Sequence, residues 1–116
     1  MWEMPPTIEM PKTTIEISKL KNQRGEIGNQ GFMVESIEKI LRHVNGNFLP
    51  EGTPIKELLE TVKNTPALFG ATKTFLENNP IEVTFLPEDN VHIEDGHHRA
   101  VIADRIGMTS IPIKTK

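Results

Sequence analysis

The chain has 116 residues and a formal net charge of −3, with 36% hydrophobic and 25% charged residues. That is enough chain for one core and not two, and its balance is that of a folded protein and not of a disordered tail. The complete absence of cysteine excludes disulfides and thiolate catalysis, and the net acidity excludes a general electrostatic attraction to duplex DNA, though a local basic pocket stays open.

The first twelve residues, MWEMPPTIEMPK, hold three prolines and show no periodicity. They read as an extended arm over residues 1–12, with a single domain expected over 13–116. No apolar run reaches the roughly 18 residues of a membrane span, and the N-terminus lacks the basic-then-apolar order of a secretory leader. A soluble, cytoplasmic protein is the expectation.

In TTIEIS, Ile15 and Ile17 alternate with Glu16 and Ser18, which is the period of a half-buried strand. The following stretch, KNQRGEIGNQG, is a glycine- and amide-rich loop able to turn sharply and approach a ligand. From Val34 the spacing Val34, Ile37, Ile40, Leu41, Val44 predicts a helix that stops at Asn45 and Gly46. A second helix is announced by Thr53 as cap and Pro54 in first position, with Ile55, Leu58, Leu59 and Val62 as its buried stripe. Thr65 and Pro66 repeat the signal, and Ala67, Leu68, Ala71, Phe75 and Leu76 are the predicted buried face of a third helix ending before Pro80.

Alternation returns at Ile81, Val83 and Phe85, breaks at PEDN, and resumes at Val91 and Ile93, a hairpin pattern. DGHHR follows, then Ala100, Ile102, Ala103 and Ile106 on a helix ending at Gly107. A last short strand, IPIK, carries a proline suited to a sheet edge. Strands interleaved with helices in this order predict an α/β (α+β) fold, a small mixed sheet packed with helices.

DGHHR carries the chemistry. If Asp95 and Gly96 make the bend, the unpaired amides of the first helical turn converge beyond the strand end with about half a positive charge. Gly96 removes a Cβ from their approach, while His97, His98 and Arg99 add donors, the guanidinium being a planar match to phosphate oxygens. Asp95 also suits a simple helix cap. Adjacent histidines diverge by about 100° on a helix, so one of the pair, His98, is expected to face the ligand. His43 and His92 have only core or surface settings. The spacing of His92, Asp95, His97 and His98 does not match a zinc site. Mg2+, which needs only one or two carboxylates plus substrate phosphates, could use Asp95, Glu94 or Glu26.

On these residues the chain resembles the ParB/sulfiredoxin superfamily. NPIEVTFLPEDNVHIEDGHHRAVIADRIGMTSIPIK is similar to its core over residues 79–114, and TTIEISKLKNQRGEIGNQG to its first strand and loop. The helical middle, 34–78, matches in organisation alone. The resemblance implies a ParB/sulfiredoxin-like fold with a phosphate-binding box of Gly96, His97, His98 and Arg99, assisted by Gln23. Where sulfiredoxins carry their cysteine this chain has His97, so sulfinic acid reduction is excluded, and it lacks the DNA-reading domain of partitioning ParB proteins. Closer in wording than those are the free serine kinases, and small ParB-like domains described as nucleases in polymorphic toxins carry a similar DGHHR.

The resemblance therefore implies Mg2+- or Mn2+-dependent phosphoryl chemistry on a nucleotide such as ATP, ADP or CTP. Glu26, Asp95 and His98 would be catalytic, and Asp95 with Glu94 would hold the metal. One alternative it implies is a metal-dependent nuclease acting on nucleic acid, delivered into a target cell if it is a toxin domain. The other is a nucleotide-sensing or partner-binding module without turnover.

Overall fold

The computed structural model describes residues 13–22, 25–27, 34–46 and 49–115. The proposed arm over residues 1–12 lies outside them, as does Gln23. The elements run β1 (Thr14–Glu16), a 3-10 segment (Ile17–Leu20), α1 (Val34–Asn45), α2 (Ile55–Asn64), α3 (Pro66–Asn78), β2 (Ile81–Leu86), β3 (Asn90–Asp95), α4 (His97–Arg105) and β4 (Ser110–Thr115). An α+β architecture results, in which four helices accompany a four-stranded mixed sheet of order β1-β4-β2-β3. Strands β2 and β4 are parallel, and the other two pairings are antiparallel.

Helix α4 is the centre of the packing. It touches α1, α2, α3, β2, β4 and the 3-10 segment, and four consecutive residues, Ala100, Val101, Ile102 and Ala103, are buried. Four consecutive buried residues leave no exposed side on the middle of the helix, which is therefore a core segment. Ile81, Val83, Ile93, Ile111 and Ile113 from the sheet and Leu41, Leu58, Val62 and Leu76 from the other helices belong to the same buried core. The exit of α4 is a Schellman motif. Met108 N–H donates to Ala103 O at 3.0 Å and Gly107 N–H to Asp104 O at 3.2 Å, with Gly107 at φ 91°.

Several local expectations are corrected. The first strand is cut to three residues because the chain coils into the 3-10 segment at Ile17, whose side chain is buried. Helix α2 begins one residue later than its signal implied: Pro54 is the cap, its carbonyl accepts from Glu57 and Leu58, and Thr53 caps nothing. Helix α3 buries Leu68, Thr72 and Leu76, whereas Ala67 and Ala71 are exposed. The buried stripe follows the i, i+4 row, with a threonine that returns its hydroxyl to Leu68 O at 2.8 Å.

Pro112 is not at a sheet edge either, since β4 lies between β1 and β2. The β2–β4 ladder is registered from Ile81↔Ile113, one residue beyond the proline, so the missing N–H falls where the ladder has not begun. The carbonyls just before it, Asn79 and Pro80, are bonded by a side chain from α4. No helix among the described residues is long and apolar enough to cross a membrane.

Candidate functional site

The turn between β3 and α4 is set by Gly96. Its φ of 105° and ψ of 24° place it in the left-handed region as the N-cap of α4, a conformation open to glycine at little cost. A Cβ there would lie 2.6 Å from Ile81 Cγ2 and 3.0 Å from Arg99 Nη2. The glycine is thus required by packing against β2 and by its φ, and the space a Cβ would take is already filled. The expectation that its missing side chain clears a path for an anion is replaced by this one.

Nor is Asp95 the helix cap. The N-cap glycine has no side chain to offer, and no side-chain hydrogen bond caps α4. The first turn's amides therefore keep their partial positive charge undiminished. Asp95 instead pairs with Arg99, Oδ2 to Nη2 at 3.2 Å, one turn along the helix.

Arg99 does more than present a fork to solvent. Its Nη1 donates to Asn79 O at 2.7 Å and Pro80 O at 3.0 Å, which uses both hydrogens of that nitrogen. The side chain is 19% exposed against 71% for Asp95. Arg99 thus ties the α3–β2 junction to the turn, leaving Nε and one Nη2 hydrogen. It sits at the predicted turn, but most of its hydrogen-bonding capacity is directed inward.

His97 and His98 are half-buried in the first turn of α4. Burial lowers the pKa of His97 below its ordinary value of 6.5, the neighbouring imidazoles of His92 and His98 lower it further, and Asp95 opposes them. His92 is therefore electrostatically part of this cluster, a role that reading the sequence missed. The available signal was the strand period, which puts His92 two residues from Glu94 and beside the DGHHR turn.

The acidic candidates are dispersed. Glu94 sits at a register shift, where the ladder passes from Val83↔Ile93 to Glu82↔Asp95. Its carboxylate accepts from Thr84 Oγ1 at 2.6 Å. Glu26 is exposed, in a loop closed by Asn22 N–H to Glu26 O at 2.8 Å and Glu26 N–H to Asn22 Oδ1 at 3.1 Å, and anchored by the buried Ile27. Among the described residues no hydrogen bond or ion pair joins Glu26 to residues 95–99, and no group of three His, Cys, Asp or Glu side chains could hold a metal ion. As an oxygen donor at the rim of the turn, Asp95 fits Mg2+ as one ligand among several supplied by a phosphate chain and water; a site made of protein groups alone does not fit.

Comparison of the chain with protein-family models, with curated proteins and with solved structures finds no match.

Proposed function

We propose that the turn at residues 95–99 binds the phosphates of a nucleotide, in the manner of the ParB/sulfiredoxin superfamily, and that the chain carries out Mg2+-dependent phosphoryl chemistry there, by hydrolysis or by transfer to a small acceptor. One observation carries the reading: a nine-residue helix opens on a left-handed glycine without a side-chain cap, and two half-buried histidines occupy its first turn. Amides of this kind bind anions.

In this reading the roles divide as follows. The amides of α4 and the side chains of His97 and His98 hold phosphate oxygens. Arg99 fixes the turn through Asn79 and Pro80 and contributes its remaining donors. Asp95 would offer its carboxylate to a divalent cation arriving with the nucleotide, which would supply neutralisation of phosphoryl charge. Glu26, in the loop after β1, would orient or deprotonate the acceptor, a role that rests on the resemblance alone. In phosphoryl transfer, positioning and charge stabilisation account for most of the catalysis.

Isothermal titration with ATP, ADP and CTP in the presence of Mg2+, followed by phosphate-release assays, tests this. Saturable binding that His98→Ala weakens supports the reading, and no heat with any of the three opposes it. Nicking of supercoiled plasmid, lost in the same variant, would favour the nuclease alternative.

A further inference from the structure

The sheet has an open side. In the order β1-β4-β2-β3 each outer strand has one neighbour among the described residues, and both outer strands border a single groove of about 380 Å³. Thr14 and Glu16 line it from β1, Phe85, Asp89 and Val91 from the β2–β3 hairpin, and Lys19 from the 3-10 segment. The sheet is therefore curled so that its two ends face each other across a gap, and the 3-10 segment that follows β1 packs beside β3.

Two features of the gap suit an added strand. The first is backbone: β1 bonds to β4 through alternate residues, Ile113 N–H donating to Thr13 O and Ile17 N–H to Thr109 O, both at 2.9 Å. By the alternation of an antiparallel ladder, the N–H and C=O of Thr14, between these two, point to the open side. The second is apolar surface. Phe85 is 55% exposed, and Val91, opposite it in register, lines the groove with it. An unpaired strand edge beside an exposed aromatic is the arrangement by which a sheet takes up an extended peptide.

Charge selects the peptide. Glu16 and Asp89 border the groove against one lining cation, Lys19, and Glu88 adjoins Asp89. Glu88 and Asp89 both stand at positive φ, in a hairpin turn of the kind that favours asparagine and glycine. Two carboxylates are thus kept at the end of the groove at a cost in strain. We propose that the groove binds an extended segment of a partner protein in which apolar and basic residues alternate. The segment adds as a strand along β1, with its apolar side chains over Phe85 and Val91 and its basic ones toward Glu16 and Asp89; the period of two puts them on opposite faces.

The test uses the full chain and the peptide acetyl-Lys-Val-Lys-Val-Lys-amide. Saturable shifts at the backbone amides of Thr14, Glu16 and Val91 are expected, with the Glu-Val-Glu-Val-Glu counterpart and a fully N-methylated version each at least about tenfold weaker. Phe85→Ser, at an exposed position, is expected to keep the thermal melt of the parent and abolish the response. No saturable shift up to about 5 mM peptide, equal binding of the acidic or the N-methylated peptide, or an unchanged response in Phe85→Ser would each overturn the proposal. It would also fall if nuclear Overhauser contacts joined residues 1–12 to Phe85 in the free chain, making that arm the occupant. A dimer in sedimentation that Phe85→Ser dissociates would overturn it in favour of a second copy.

Discussion

Two neighbouring charges at the α4 turn contribute very differently. Arg99 is mostly buried and serves two backbone carbonyls that no strand reaches, whereas Asp95 is largely solvated. Exposed ion pairs stabilise by about 0–1 kcal/mol, but orphaned carbonyls cost more. Asp95→Asn is therefore expected to change unfolding free energy by less than about 0.5 kcal/mol. Arg99→Met, which keeps an apolar stem but donates to neither carbonyl, is expected to lose about 1–2 kcal/mol. Denaturant titration of the two variants measures the difference, and equal losses would mean that the ion pair and not the carbonyl tie fixes the turn. His97 gives a pH signature. Its pKa in the folded chain lies below the ordinary 6.5, so the unfolded chain binds more protons in the window just below that value. Its contribution is present above about pH 6.5 and is lost as pH falls through the lowered pKa. His97→Gln is expected to flatten this part of the stability profile. A phosphate favours the protonated imidazole, so nucleotide affinity is expected to rise over the same descending window, and to rise less in the variant.

At the level of elements, the hairpin and the last helix were legible in the sequence because each carries several agreeing signals. Alternation at Ile81, Val83, Val91 and Ile93 marks both strands, and Gly107 ends α4 as the chain pattern implies. The start of α4 at His97 was also legible, but its cap was not, since aspartate before glycine is as common in a bare turn as in a cap. Thr53 failed for a related reason: threonine before proline is a helix-entry pattern, and only the hydrogen bonds of Pro54 O decide which residue begins the turn. One element carries strain that the sequence does not advertise. Glu88 and Asp89 both adopt positive φ, 66° and 62°, in the β2–β3 turn. A side chain in that region costs about 1 kcal/mol, so Glu88→Gly is expected to raise stability by about that amount. A denaturation midpoint shifted upward with unchanged slope checks it, and a loss of stability would show that Glu88 makes a contact worth more than its strain.

Across the whole molecule, the mixed sheet and its helices were foreseeable from element order, while the placement of β4 inside the sheet was not. Pro112 argued for an edge on the strength of its missing N–H; the register shows that this atom would have pointed where no ladder exists. Long-range pairing of that kind is invisible to local pattern. The same limit applies to the site. DGHHR marked the turn correctly as the meeting of strand and helix, but the inward bonds of Arg99 and the part played by Ile81 in demanding glycine depend on residues distant in sequence, whereas His92 is near in sequence and its part in the cluster could be read from the strand period.

Amide-resolved NMR during titration with ADP and Mg2+ tests the phosphate turn most directly. Saturable shifts at the backbone amides of His97, His98 and Arg99, reproduced by inorganic phosphate at higher concentration and absent from α2 and α3, are the expected result. Resonances at these three residues that stay in place while nucleotide binds elsewhere, or does not bind at all, would contradict the account.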